Sequence, residues 1–206
     1  MRRICKANIP PASLTAFRQK HPAGWEEIHR PENMQAYSDS LCSCIADQEN
    51  LCGYTEIFLK PQHSHIDHYI KRSIDNRLTF SWENMIAAVI DSRFGANWKD
   101  AHITEKDYDR CSMRYTNILN PVTDNLGGRF VYSTDGMIEP AEINDDLARN
   151  TIAMFNLNED SLKSQRRRVM MAARDMVKGG IPEPEVREML KTSGFSSAVD
   201  YELRSR

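Results

Sequence analysis

A chain of 206 residues is long enough for one domain with a real core, and 40% hydrophobic with 27% charged residues is the balance of an ordinary globular protein. No stretch approaches the roughly 20 apolar residues of a membrane span, and the opening MRRICKANIPPASL has no apolar segment of the signal-peptide kind, so the expectation is a cytoplasmic protein without membrane contact. The formal charge of −2 excludes a grip on nucleic acid by bulk positive charge: the cations must gather on one face, or a partner must supply part of the grip.

The first 40 or so residues mix Pro10-Pro11, Pro22 and Pro31 with short helical stretches. From Asn33 to Glu49, Met34, Tyr37, Leu41 and Ile45 recur at helical spacing and predict an amphipathic helix. LCGYTEIFL (51–59) is apolar and β-prone, and ends at Pro61. HSHIDHYI (63–70) alternates as a strand does, which puts His63, His65 and Asp67 on one face and His68 on the other. Ser73 to Trp82 reads as a loop, and NMIAAVI (84–90) as a buried strand or the start of a helix. Asn-Pro, Gly-Gly and Asp-Gly signals in 120–140 predict a β-hairpin turning at Thr134-Asp135-Gly136. From Asp145 onward the chain reads as helical. One helix is capped by Asn158 and stopped by Gly179-Gly180, and a last one runs from near Pro182 to near Thr192.

Five cysteines, at 5, 42, 44, 52 and 111, are an odd number and fit a reducing compartment better than a disulfide framework. Cys42 and Cys44 read as two buried small residues of the 33–49 helix. The run Arg166-Arg167-Arg168, with Lys163 and Arg174, reads as a solvated helix face; helical spacing puts Lys163, Arg167 and Arg174 on neighbouring turns of one face, which is alternatively offered to phosphates or to an acidic partner.

The chemistry concentrates in His63-Ser64-His65-Ile66-Asp67-His68, which holds three of the six histidines. A carboxylate is a hard oxygen ligand suited to Mg²⁺, and an imidazole titrates near neutrality and takes a proton from water. Phosphodiester hydrolysis needs both an activated water and a cation for the phosphate. The plain alternative is a solvated strand or a metal-scavenging surface patch.

QENLCGYTE (48–56), HIDHY (65–69) and FSWENMIAA (80–88), followed by ILNPVTDNLGGRFVYSTDG (118–136) and NLNEDSLKSQRR (156–167), resemble the HNH endonucleases, and more narrowly the PtuB family of Septu and retron-associated anti-phage systems. The resemblance runs from residue 48 to about 168, and rests on order and spacing. It implies an α+β fold with a ββα-metal core at 49–105, an N-terminal helical segment at 1–48, and a hairpin with helices at 106–206. It implies cleavage of DNA or RNA, for instance tRNA, with Mg²⁺ or another divalent cation. His68 would be the general base, Asp67 a metal ligand, and Asn84 the brace of the loop that positions the base. His65, on the strand face of Asp67, would support the site. The last ligand would come from FGANWKD (94–100), with Asn97 the first choice and Asp91 the reserve. Partners would be a PtuA-type ATPase and, in some systems, a retron reverse transcriptase with its RNA–DNA hybrid.

Many members of that family hold a structural Zn²⁺ on two cysteine pairs. Here Cys52 stands alone, Thr55 takes the second place of its pair, and 89–96 contains no cysteine, so no structural zinc is expected. Leu51, Tyr54, Val89, Ile90 and Phe94 would pack in its place. The lost ligands also leave open a non-catalytic adaptor that keeps only the shape of the site.

Overall fold

The computed structural model describes residues 1–103 and 115–205; the expected segment boundary at 105–106 and Cys111 lie outside them. The fold is mixed α+β, with seven α-helices among the described residues and two small antiparallel sheets.

Helix α1 (Ala12–Arg18) follows the two prolines and buries Leu14 and Phe17. Helix α2 (Met34–Asp47) meets the expected span and turns Leu41, Cys44 and Ile45 inward, at i, i+3 and i+4. Its outer edge departs from the reading: Met34 is 42% exposed, and Cys42 is exposed while Cys44 is buried, because residues two apart on a helix face different sides.

The segment 51–59 is a tight turn rather than a strand. Cys52 N–H donates to Ile57 O, Glu56 N–H donates to Cys52 O, and only Leu51 and Phe58 form a bridge. Gly53 allows this turn to lie on the sheet, since a Cβ there would stand 2.3 Å from Ile86 Cγ2. Gln48 closes the junction. Its amide donates to Leu51 O and Ala87 O, and its side-chain oxygen accepts from Ala87 N–H.

Strand β1 (Ser64–His68) pairs antiparallel with β2 (Met85–Val89), with Asp67 opposite Ile86 and His68 opposite Met85. The pairing with β1 makes 85–89 a strand rather than the start of a helix, with Met85 to Ala88 fully buried. Helix α3 (Gly95–His102) follows directly, buries Ala96 and Lys99, and packs on β2. Leu51, Tyr54 and Phe94 pack in the core as expected, with the Tyr54 ring stacked on Phe155 at 4.4 Å. Ile90 instead points to solvent at 57% exposure, one residue past the end of the paired strand.

The hairpin β3 (Phe130–Tyr132) and β4 (Ile138–Pro140) turns at the expected residues. Gly136 sits at φ +88° with a Cβ position only 2.1 Å from Lys163 O, so no side chain fits there. The remaining helices are α4 (Asp146–Met154), α5 (Asp160–Lys178), α6 (Glu183–Leu190) and α7 (Ser196–Arg204). The sequence reading missed α7, which Gly194 and a left-handed Phe195 separate from α6. Glu159, not Asn158, caps α5. Asn158 instead pins β4, donating to Ile138 O and accepting from Ile138 N–H.

Within the basic run Arg167 and Arg168 are exposed, and Arg166 departs from the solvated reading. Arg166 is buried, donating to Gly136 O, Leu157 O and Asn158 Oδ1; Arg174 is bound to Glu202, and Lys163 to Asp160. A continuous set of buried apolar side chains runs from Met1 to Leu203. Among the described residues no helix is long and apolar enough to cross a membrane.

Candidate active site

The end of β1 carries the polar cluster into the interior. His65, Asp67 and His68 all line a cleft of about 790 Å³, together with Asn97 and Asp100 from α3 and Lys71 and Arg72 from the loop beyond the strand. Strict strand alternation would have sent His68 away from Asp67. The strand ends at His68, and the chain there turns into the loop, so both side chains reach the same cleft. His63 is exposed, in the turn before the strand.

His68 is held by one contact. Its Nε2 lies 2.8 Å from Thr79 O, and a carbonyl only accepts, so the proton sits on Nε2 and Nδ1 is the basic nitrogen. Burial pushes the imidazole down to about 4, against a smaller upward pull from Thr79 and Asp67, so it is neutral at pH 7. Trp25 meets the ring edge-on at 4.5 Å.

Asn84 fixes the loop that supplies Thr79. Its Oδ1 accepts from Ile70 N–H at 2.8 Å, and its Nδ2 donates to Ile70 O at 3.0 Å and to Leu78 O at 3.3 Å. One amide thereby ties the chain two residues after His68 to the residue before Thr79.

Asp67 is buried among partners that the sequence reading did not name. Its Oδ2 accepts from the Tyr54 hydroxyl and from Lys99 Nζ at 2.9 Å; Oδ1 has no hydrogen-bond partner among the described residues. Lys99 is fully buried and also donates to His68 O at 2.7 Å and Tyr69 O at 3.0 Å. Burial opposes its charge, but the carboxylates of Asp67 and Asp100 outweigh that and hold the ammonium above its usual value. Burial raises the Tyr54 phenol and the Asp67 charge raises it further, so Tyr54 stays a donor.

Two polar atoms of the cleft are buried without a hydrogen bond: His65 Nδ1 and Asp100 Oδ1. Asp100 Oδ1 stands 3.1 Å from Lys99 Nζ, but the three ammonium protons already serve Asp67, His68 O and Tyr69 O, so this contact is Coulombic only. Burial raises the Asp100 carboxyl and lowers the His65 imidazole, which keeps His65 a neutral nitrogen donor. Buried polar atoms are nearly always satisfied in folded proteins, so this pair marks where a ligand or water belongs.

Of the α3 candidates, Asn97 lines the cleft. Asp91 does not: both of its oxygens are held by Arg93, whose hydrogen bonds also keep the carboxyl below its usual value. Lys99 and Asp100 carried one signal in the sequence. Lys99 stands three residues after Ala96, on the apolar stripe of a short helix, and a lysine there needs buried anionic partners.

Among the described residues no three His, Cys, Asp or Glu side chains close around a common point. The donors present, Asp67 Oδ1 and the Asn97 amide with His65 and Asp100 near, fit Mg²⁺, which keeps several waters and binds through one or two carboxylates plus substrate phosphate. No protein-family model matches the chain. No curated protein matches its sequence.

Proposed function

We propose that this chain is a metal-dependent nuclease of the HNH type, hydrolysing phosphodiester bonds in DNA or RNA with His68 as general base. The observation that carries the reading is the Thr79 contact: it fixes the tautomer and leaves a neutral imidazole with Nδ1 free to take a proton. The order β1, β2, α3 around the cleft is read as the ββα-metal unit of that family.

In this mechanism a water molecule lies between His68 and the phosphorus. His68 Nδ1 takes its proton as the new O–P bond forms and the bond to the leaving oxygen breaks. Asp67 and Asn97 would hold a Mg²⁺-type ion, which would supply stabilisation of charge on the phosphate and the leaving oxygen. Asn84 and Thr79 keep His68 in one orientation, and Lys99 fixes Asp67 by bonding it and the two carbonyls that follow. Arg72, at the cleft over the Trp25 ring, is paired with the exposed Glu26 at 3.3 Å and would meet a neighbouring phosphate by exchanging that partner. The chain would act as the effector subunit of an anti-phage system beside a PtuA-type ATPase.

One observation favours the adaptor reading. Lys99 already places a cation on Asp67, as a site that has given up its metal would do. Incubation of the purified chain, alone and with the ATPase, with end-labelled DNA and total RNA decides between them. Mg²⁺-dependent cleavage that His68→Ala abolishes supports the nuclease. Absence of cleavage under every condition, with the ATPase still bound, supports the adaptor.

A further inference from the structure

A second cleft, of about 940 Å³, adjoins the first: Pro22 and Phe80 form part of the wall of both. Into it the fold gathers Arg3 and Lys6 from the N-terminal segment, Arg18 from the last turn of α1, His21 just beyond, and Arg77 from the loop that carries Thr79. Among the described residues Glu83 is its one carboxylate. Four permanent cations against one anion is a strong local excess in a chain whose overall formal charge is −2.

The partners of these cations matter more than their number. Arg77 is bound by Asp75. Arg3 and Arg18 are exposed and have no carboxylate partner among the described residues. Lys6 has none either: its ammonium sits 3.7 Å above the Trp82 ring and donates to Cys44 Sγ at 3.0 Å. Elsewhere on the molecule many arginines are matched to an acid, as Arg129 is to Asp145, Arg174 to Glu202 and Arg187 to Asp200. Unpaired guanidinium groups beside a concave wall present forked donors for phosphate oxygens.

We propose that this cleft binds the sugar–phosphate backbone of the nucleic acid strand whose neighbouring phosphate enters the His68 cleft. The inference rests on the nuclease reading for the direction of the strand, and on the unpaired cations for the binding itself. A polyanion spanning both clefts crosses at the shared wall of Pro22 and Phe80, with Glu26 of the first cleft paired to Arg72. Binding to phosphate alone is blind to base sequence, so specificity has to come from elsewhere.

The test compares two double variants of the full chain with the same change in net charge: Arg3→Gln with Arg18→Gln in the cleft, and Arg167→Gln with Arg168→Gln on the exposed side of α5. Fluorescence anisotropy with labelled oligonucleotides of about 20 nucleotides, single-stranded DNA, single-stranded RNA and duplex DNA, is followed in EDTA from about 50 to 200 mM salt. The cleft variant is expected to bind roughly tenfold more weakly and to lose about 1.4 from the slope of log K against log salt on single strands, at about 0.7 per phosphate contact. The α5 variant is expected to follow the parent, and the oligonucleotide bound most tightly names the substrate class. Equal losses in both variants, no loss in the cleft variant, or no binding by the parent to any oligonucleotide overturns the proposal. Because EDTA removes the metal, binding is read independently of catalysis. A chain that never cleaves, yet whose cleft variant loses affinity, refutes the nuclease and keeps the cleft. Wild-type binding and cleavage by the cleft variant does the reverse.

Discussion

Two buried cations hold the two halves of this molecule, and they work in opposite surroundings. Lys99, on α3, is fully buried and bonds a carboxylate and two backbone carbonyls at the end of β1. Arg166, on α5, is 3% exposed and bonds two carbonyls and an amide oxygen where the β3–β4 hairpin meets its helix. Nearby carboxylates hold the charge of Lys99 up. No carboxylate bonds Arg166, and burial brings its guanidinium down to about 10. Arg166 satisfies each of the three oxygens it bonds, and the nearby buried Glu56 Oε1, which has no hydrogen bond, is met by the charged amino group of Met1 at 2.8 Å. Beside Lys99, His65 Nδ1 and Asp100 Oδ1 have no hydrogen bond either, but their residues line a cleft. It is the cleft beside such atoms, rather than the buried charge, that distinguishes a candidate site from a structural anchor.

The largest effect that would sharpen this contrast is chemical. His68→Ala is expected to slow cleavage per folded molecule by roughly 10²–10⁴-fold, since water must then lose its proton unaided. Full activity in that variant would break the assignment of the base.

Next come the two cations themselves. Lys99→Met leaves Asp67 buried and uncompensated, and is expected to cost about 3–5 kcal/mol in denaturant unfolding together with most of the activity. Arg166→Met is expected to destabilise by a comparable amount, since it strands buried acceptors at about 1–3 kcal/mol each, while the surviving folded fraction cleaves at the parental rate. Equal losses of specific activity in the two variants would erase the distinction. Asn84→Ala should fall between: loss of the ties to Ile70 and Leu78 loosens the loop, so cleavage drops less than in His68→Ala.

The pH dependence tests the burial of His68. The folded imidazole titrates near 4 and the unfolded one near 6.5, so the unfolded chain binds more protons between those values. Its contribution, about 3 kcal/mol, is present above pH 6.5 and is lost as the pH falls toward 4. Unfolding of the parent and of His68→Phe across that window should diverge with this sign, and cleavage should hold its rate well below pH 6.5. The smallest effect is reserved for His63→Ala: the residue is exposed and outside the cleft, so its rate should match the parent.

The sequence by itself determined a strand within 63–70, found at Ser64–His68, and the hairpin turn at Asp135-Gly136, because alternation and turn chemistry are local properties; Asn84 is named only by the resemblance, and pairing of β1 with β2 brings it to the loop after His68. Tertiary structure decided everything that joins distant segments. It closed 51–59 into a turn against β2, buried Arg166 out of the basic run, and brought Lys99 onto Asp67 across 32 positions of sequence. Net charge is a property of the sequence, but where its cations stand is a property of packing: Arg3, Lys6, Arg18 and Arg77 share one cleft only because the N-terminal segment lies beside α1 and the 76–82 loop.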